Sequence, residues 1–120
     1  MPNYVDGFVL PVPKDNLDRY KKVAKKASKI WMEHGALAYF ECVGDDMEAE
    51  HMTPFPKLVK TKPDEVVVFS WAVFKSRKDR DKANKAIMAD PRIQGMCEET
   101  KGIFECKRMA YGGFKVMVEG

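Results

Sequence analysis

At 120 residues the chain can build one hydrophobic core and is too short for two. With 45% hydrophobic and 32% charged residues it has the make-up of an ordinary soluble globular domain, and its net charge of +3 needs no acidic partner to explain it. The three cysteines (Cys42, Cys97, Cys106) lack CxxC spacing, the start has no secretory pattern, and no apolar stretch nears the roughly 18 residues of a membrane span. A cytoplasmic protein is expected.

In chain order, the first strand is predicted over Tyr4 to Val12, closed by Pro11 and Pro13, with a local bulge at Gly7. A helix follows from about Asn16 to His34. Asp15 is its expected N-cap, Leu17, Tyr20, Val23, Ala24, Ala27, Ile30 and Trp31 form its apolar stripe, and Gly35 stops it. Lys22, Lys25, Lys26 and Lys29 read as a solvated face, and no nucleic-acid motif accompanies them. A second strand runs from Leu37 to Val43, and Cys42 on it reads as a core residue. Residues 47–64 hold three prolines and read as a long loop. The acidic stretch from Gly44 to His51 at its start matches neither a calcium loop nor a zinc motif, so no metal is expected.

Strand three is predicted over Glu65 to Phe74 and is apolar on both alternating faces. The odd set is Val67, Phe69, Trp71 and Val73; only Ser70 interrupts the even set. Ser76 then caps a helix through about Ala89, Asp90-Pro91 breaks or restarts it, and a last strand is predicted over Glu105 to Phe114. This order is the βαββαβ unit: one ferredoxin-like α+β domain over residues 1–120, with an antiparallel sheet in the order 4-1-3-2. Two helices cover one sheet face. A second copy covering the other, as a homodimer, is the economical expectation.

The residues with chemistry are those that interrupt apolar strands. Asp6, Glu41, Ser70 and Arg108 are expected on the sheet face away from the helices. There Arg108 would hold an anionic group, Asp6, Glu41 and Ser70 would supply hydrogen bonds, and Tyr39, Trp71 and Tyr111 would form walls. The alternative is a structural ion pair of Arg108 with Asp6 or Glu41. A nucleophile elbow, Walker loop or dinucleotide fingerprint is absent from the sequence, and no cofactor is expected.

Five segments in order, Tyr4-Val-Asp-Gly-Phe8, Glu41-Cys-Val-Gly-Asp-Asp46, Val67-Val-Phe-Ser-Trp71, Met88-Ala-Asp-Pro-Arg92 and Lys107-Arg-Met-Ala-Tyr-Gly-Gly-Phe114, resemble the YbaA-like family of small bacterial proteins. That family carries a domain of unknown function. The resemblance implies a dimeric α+β barrel, a fold shared with cofactor-independent monooxygenases and haem-degrading enzymes, and it implies no activity. The expected function is a homodimer binding a small organic molecule, anionic if Arg108 holds it, in the barrel interior. A monooxygenase-like enzyme and a non-catalytic dimeric module are the alternatives, and neither nucleic acid nor membrane is an expected partner.

Overall fold

The computed structural model describes residues 2–120; Met1 and the side chain of Cys97 lie outside the described residues. Four strands form one sheet: β1 (Tyr4–Pro13), β2 (Ala38–Val43), β3 (Glu65–Phe74) and β4 (Ala110–Lys115). The order is β2-β3-β1-β4 with every neighbouring pair antiparallel, which is the order expected from the sequence. The helices are α1 (Leu17–Glu33), a single turn α2 (Phe55–Leu58) inside the long loop, α3 (Arg77–Met88) and α4 (Pro91–Thr100).

The helix signals act where the residues place them, with one exception. Ser76 accepts a hydrogen bond from the Asp79 amide and starts α3; Asp90 does the same for Arg92 and restarts the chain as α4 directly after the break. Gly35, at φ 115°, ends α1 in a backbone region that other residues enter at a cost. Asp15 does not cap α1. Residues Lys14–Asn16 form a 3₁₀ turn, and the Asn16 amide instead donates to the Gly102 and Ile103 carbonyls, tying the start of α1 to the segment after α4.

Two strand expectations are corrected. No bulge occurs at Gly7, because its pairing with Trp71 on one side and Gly112 on the other is continuous. The last strand begins at Ala110, and Cys106–Arg108 form a 3₁₀ turn. The reason lies in β1. Pairing with β3 continues through Pro11 and Pro13, so the donors those prolines lack are missing from the β4 side. The β1–β4 ladder accordingly ends at Val9 and Ala110.

Helices α1, α3 and α4 pack on the even-numbered face of β1 and β3. Tyr4, Ala72 and Phe74 meet Ile30, Ala83 and Ile87 in one half of the core; Leu10, Val12 and Val68 meet Tyr20, Val23 and Ala24 in the other. Apolar burial of this kind contributes about 25 cal/mol per Å² and dominates the stability of the domain. The opposite face carries the aromatic set: Phe40 stacks on Trp71 at 5.0 Å, Phe69 lies 5.2 Å from Trp71, and the α2 residue Phe55 lies over Phe69. Phe40 and Phe114 are at least half exposed. Cys42, expected in the core, lies exposed between these aromatic positions because the helices chose the other face.

One ion-pair cluster ties α1 to the α3–α4 corner. Asp90 receives the Arg92 guanidinium at 2.8 Å and His34 at 2.9 Å, and Arg92 also reaches Glu33 at 2.7 Å. Arg92 first, then His34, holds the Asp90 carboxyl well below the usual carboxylate range. A depressed folded value means that the unfolded chain takes up the proton first. The stabilisation is therefore present above about pH 4 and is lost as pH falls toward the folded value. Asp90→Asn is expected to lower the unfolding midpoint at pH 7 and to flatten its decline below about pH 4. Parallel melting curves for the two proteins across pH 2–7 would count against the cluster.

Candidate functional site

Strand register arranges the polar interruptions in two rows across the helix-covered face. Glu41, Ser70, Phe8 and Tyr111 lie side by side in one row; Tyr39, Ala72, Asp6 and Gly113 lie in the next. The expectation that Asp6, Glu41 and Ser70 face away from the helices is thus corrected. They belong to the same alternating set as Leu10, Val12 and Phe74, the residues that build the core. Asp6 and Ser70 are almost wholly buried, at 1% and 2% exposure.

Above the first row, between the sheet and helices α1 and α4, is a cavity of about 220 Å³. Phe8, Ser70, Tyr39 and Glu41 line it from the sheet, Tyr20 and Trp31 from α1, Met96 from α4, and Phe104 and Cys106 from the segment that follows. Its one charged lining residue is Glu41. That carboxylate accepts the Tyr20 hydroxyl at 2.8 Å and the Tyr39 hydroxyl at 2.6 Å. Burial foremost, and then the Glu41 charge, push both tyrosine hydroxyls far above their ordinary value, so both stay protonated as donors at neutral pH. The indole Nε1 of Trp31 is buried and has no hydrogen-bond partner among the described residues. A donor left so costs about 1–3 kcal/mol unless something from outside the chain accepts from it.

The second row leads to a separate polar cluster. Arg80 on α3 donates to the Tyr4 hydroxyl at 2.9 Å and the Tyr111 hydroxyl at 3.2 Å, and its Nε lies 3.6 Å from the Asp6 carboxylate. Its guanidinium also stacks on the Tyr4 ring at 4.8 Å. Burial raises the Asp6 carboxyl above the usual range, and the Arg80 charge returns part of that shift. Sequence reading missed Arg80. The available signal was its spacing: Arg80, Ala83, Asn84 and Ile87 follow the i, i+3, i+4, i+7 pattern that points one helix face inward.

Arg108 joins neither group. Its guanidinium makes a two-pronged pair with Glu65, at 2.6 and 2.8 Å, and donates to the Lys60 carbonyl at 3.0 Å. It lines a different cleft of about 400 Å³ together with Lys62, Asp64 and Glu65. The structural ion pair expected with Asp6 or Glu41 is made with Glu65 instead, because Arg108 lies in the turn that precedes β4. Trp71 is on the opposite, helix-free face. Of the seven residues singled out in the sequence, Tyr39, Glu41 and Ser70 share the cavity, and Asp6 and Tyr111 share the Arg80 cluster.

A four-stranded antiparallel sheet with helices on one face, holding a cavity between the layers, defines an α+β protein of two packed layers. The chain belongs to a family described as proteins of unknown function (DUF1428), whose model matches residues 3–105. It is 42% identical over 116 residues to the uncharacterized protein YbaA of Escherichia coli strain K12, covering 97% of each chain, and equally so to that of Shigella flexneri. The family resemblance read from the sequence is therefore correct. Among solved structures it is similar to a NIPSNAP family protein of unknown function from Agrobacterium tumefaciens, with a TM-score of 0.57, 18% identity, and 95% and 87% of the two chains covered. It is also similar to a mutant of SnoaB, a cofactor-independent oxygenase from Streptomyces nogalater, with a TM-score of 0.60, 10% identity, and 98% and 95% covered. At these identities the likeness is one of fold. No helix among the described residues is long and apolar enough to cross a membrane.

Proposed function

We propose that the protein is a ferredoxin-like homodimer, paired through the helix-free sheet faces, and that each subunit binds a small neutral ring compound between its helices and its sheet. The observation that carries the ligand reading is the 220 Å³ cavity itself, largely apolar and lined in part by Trp31, whose buried indole N–H has no acceptor among the described residues. Apolar cavities of about 150 Å³ hold a single benzene ring, so this one has room for a somewhat larger ring system. Its walls are aromatic and aliphatic, and Glu41 already accepts two hydroxyls. A turn of the Trp31 ring toward the cavity would bring its N–H to a place where an acceptor is needed. A carbonyl or ether oxygen on an uncharged ring meets that need. An anion is disfavoured, since the cavity's own charge is negative and Arg108 is engaged elsewhere. The dimer reading is supported by the exposed aromatic face and by the barrel fold that the family resemblance implies.

The test uses 1-tetralone as the neutral probe and 1-naphthoate as the anionic one. Tetralone is expected to raise the melting temperature and quench tryptophan fluorescence, with naphthoate inert. Trp31→Phe keeps the ring and removes the donor; it should weaken tetralone binding by about tenfold, the worth of one buried hydrogen bond. Equal affinity in Trp31→Phe, or no response to any neutral ring compound, would sink the reading.

A further inference from the structure

The cavity does not use the Asp6–Arg80 cluster, and that cluster contains the most heavily buried charged residue among the described residues, in an ion pair at 3.6 Å that no hydrogen bond completes. Asp6 is 1% exposed, yet neither carboxylate oxygen has a hydrogen-bond partner, and neither does the buried Nε of Arg80. Ala72 and Gly113 flank Asp6 on the neighbouring strands, so the side chains that approach its carboxyl are Arg80, Asn84 and Tyr111, none of them in full hydrogen-bond geometry. The cover on the solvent side is Tyr111, which is half exposed on edge strand β4. Its hydroxyl accepts from Arg80 Nη1 at 3.2 Å and from Asn84 Nδ2 at 3.4 Å, both at the long end of the hydrogen-bond range. Its ring rests on Phe8 with centroids 4.9 Å apart.

We propose that this corner between β1, β4 and α3 is a second binding site, which takes the hydroxyl of a small phenol when Tyr111 swings aside. Tyr111 shows the chemistry that the corner accepts: an aromatic ring on Phe8 whose oxygen meets two donors beside the Asp6 carboxyl. A hydroxyl satisfies both sides, because it accepts from Arg80 and Asn84 and donates to Asp6. A carboxylate would face Asp6 across a short gap, and an ammonium group would face Arg80. Both are repelled in a site with so little water.

Phenol and toluene, which differ in the hydroxyl, are the probes, read by calorimetry and by thermal shift. Wild-type protein should bind phenol weakly, Tyr111→Ala at least tenfold more tightly, and neither should bind toluene. Adding Asn84→Leu to Tyr111→Ala should cost about tenfold. The phenol response should be unchanged in Trp31→Phe, which separates this site from the cavity and lets either proposal fail alone. Should Tyr111→Ala not fold, Tyr111→Phe serves instead: it keeps the ring, loses both weak hydrogen bonds and should bind phenol better than wild type. Equal responses to phenol and toluene would reduce the effect to hole filling and overturn the proposal. So would a phenol response abolished by Trp31→Phe, a response confined to variants of Tyr111 with none in wild type, or no response in any of these proteins.

Discussion

Trp71→Lys should elute and scatter light as a monomer under conditions where the unsubstituted protein has the mass of a dimer. Trp71 lies on an inner strand opposite Gly7, with Phe40 stacked on one side and Phe69 on the other, so it occupies the middle of the exposed aromatic patch. Central, well-packed aromatics carry most of the energy of an interface, and each such truncation costs about 2 kcal/mol or more. A two-fold axis applies the substitution twice and sets each new ammonium in the apolar patch of the other subunit. The expected loss is at least a hundredfold in the dimer dissociation constant, on the scale of about 1.4 kcal/mol per factor of ten. Folding should survive, since the core is on the other face and Trp71 takes no part in either buried cluster. An unsubstituted protein that is monomeric at micromolar concentration would end the dimer proposal outright. A Trp71→Lys variant that stays dimeric would move the interface elsewhere.

That patch also shows what the sequence made legible. The two-sided apolar run from Val66 to Phe74 pointed to cover on both faces and, with the element order, to strand order 4-1-3-2; the structure has that order. Which face the helices take was misjudged, for a physical reason. Ser70 looked like the mark of an exposed or ligand-facing side because it is polar. The helices sit on that side because Ser70 and Ala72 are small, and small residues on an inner strand leave room for Tyr20, Tyr39 and Trp31 to reach inward. Alternation tells which residues share a face, and the identity of the covered face comes from volume matching between layers. Arg108 was misplaced by a different cause: the effect of Pro11 on the neighbouring ladder depends on which way its missing donor points. Glu41 and Tyr39 were found because a carboxylate and a phenol in an apolar strand need partners. They bond each other, and the second donor to Glu41, Tyr20, comes from the apolar stripe of α1 and carries no sign in sequence that its hydroxyl is used.

Gly113→Ala should be the most damaging single methyl added to this chain, and the damage should concentrate at the Arg80 cluster. A Cβ at Gly113 would stand 2.5 Å from the Tyr4 hydroxyl, 2.7 Å from Arg80 Nη2 and 2.8 Å from Tyr4 Cε2, so these groups must move. Such clashes are cheap where a flexible tip yields. Here the Tyr4 ring is buried in the core, its hydroxyl is bonded to Arg80 at 2.9 Å, and the guanidinium is held against that ring while facing Asp6. Overpacking of this kind costs about 1–3 kcal/mol. Around 2 kcal/mol corresponds to a fall in melting temperature on the order of 8 °C for a domain of this size. Tyr4→Phe in the same chain removes the nearest atom and leaves the other two contacts, so it should recover part of the loss and not all of it. Additive effects of Gly113→Ala and Tyr4→Phe would show that the two positions do not meet, and a melting temperature within a degree of wild type would show that the corner is soft. A rigid corner would keep Asp6 short of a full hydrogen bond, whereas in a soft one Arg80 could close onto Asp6 and leave nothing for a phenol to satisfy.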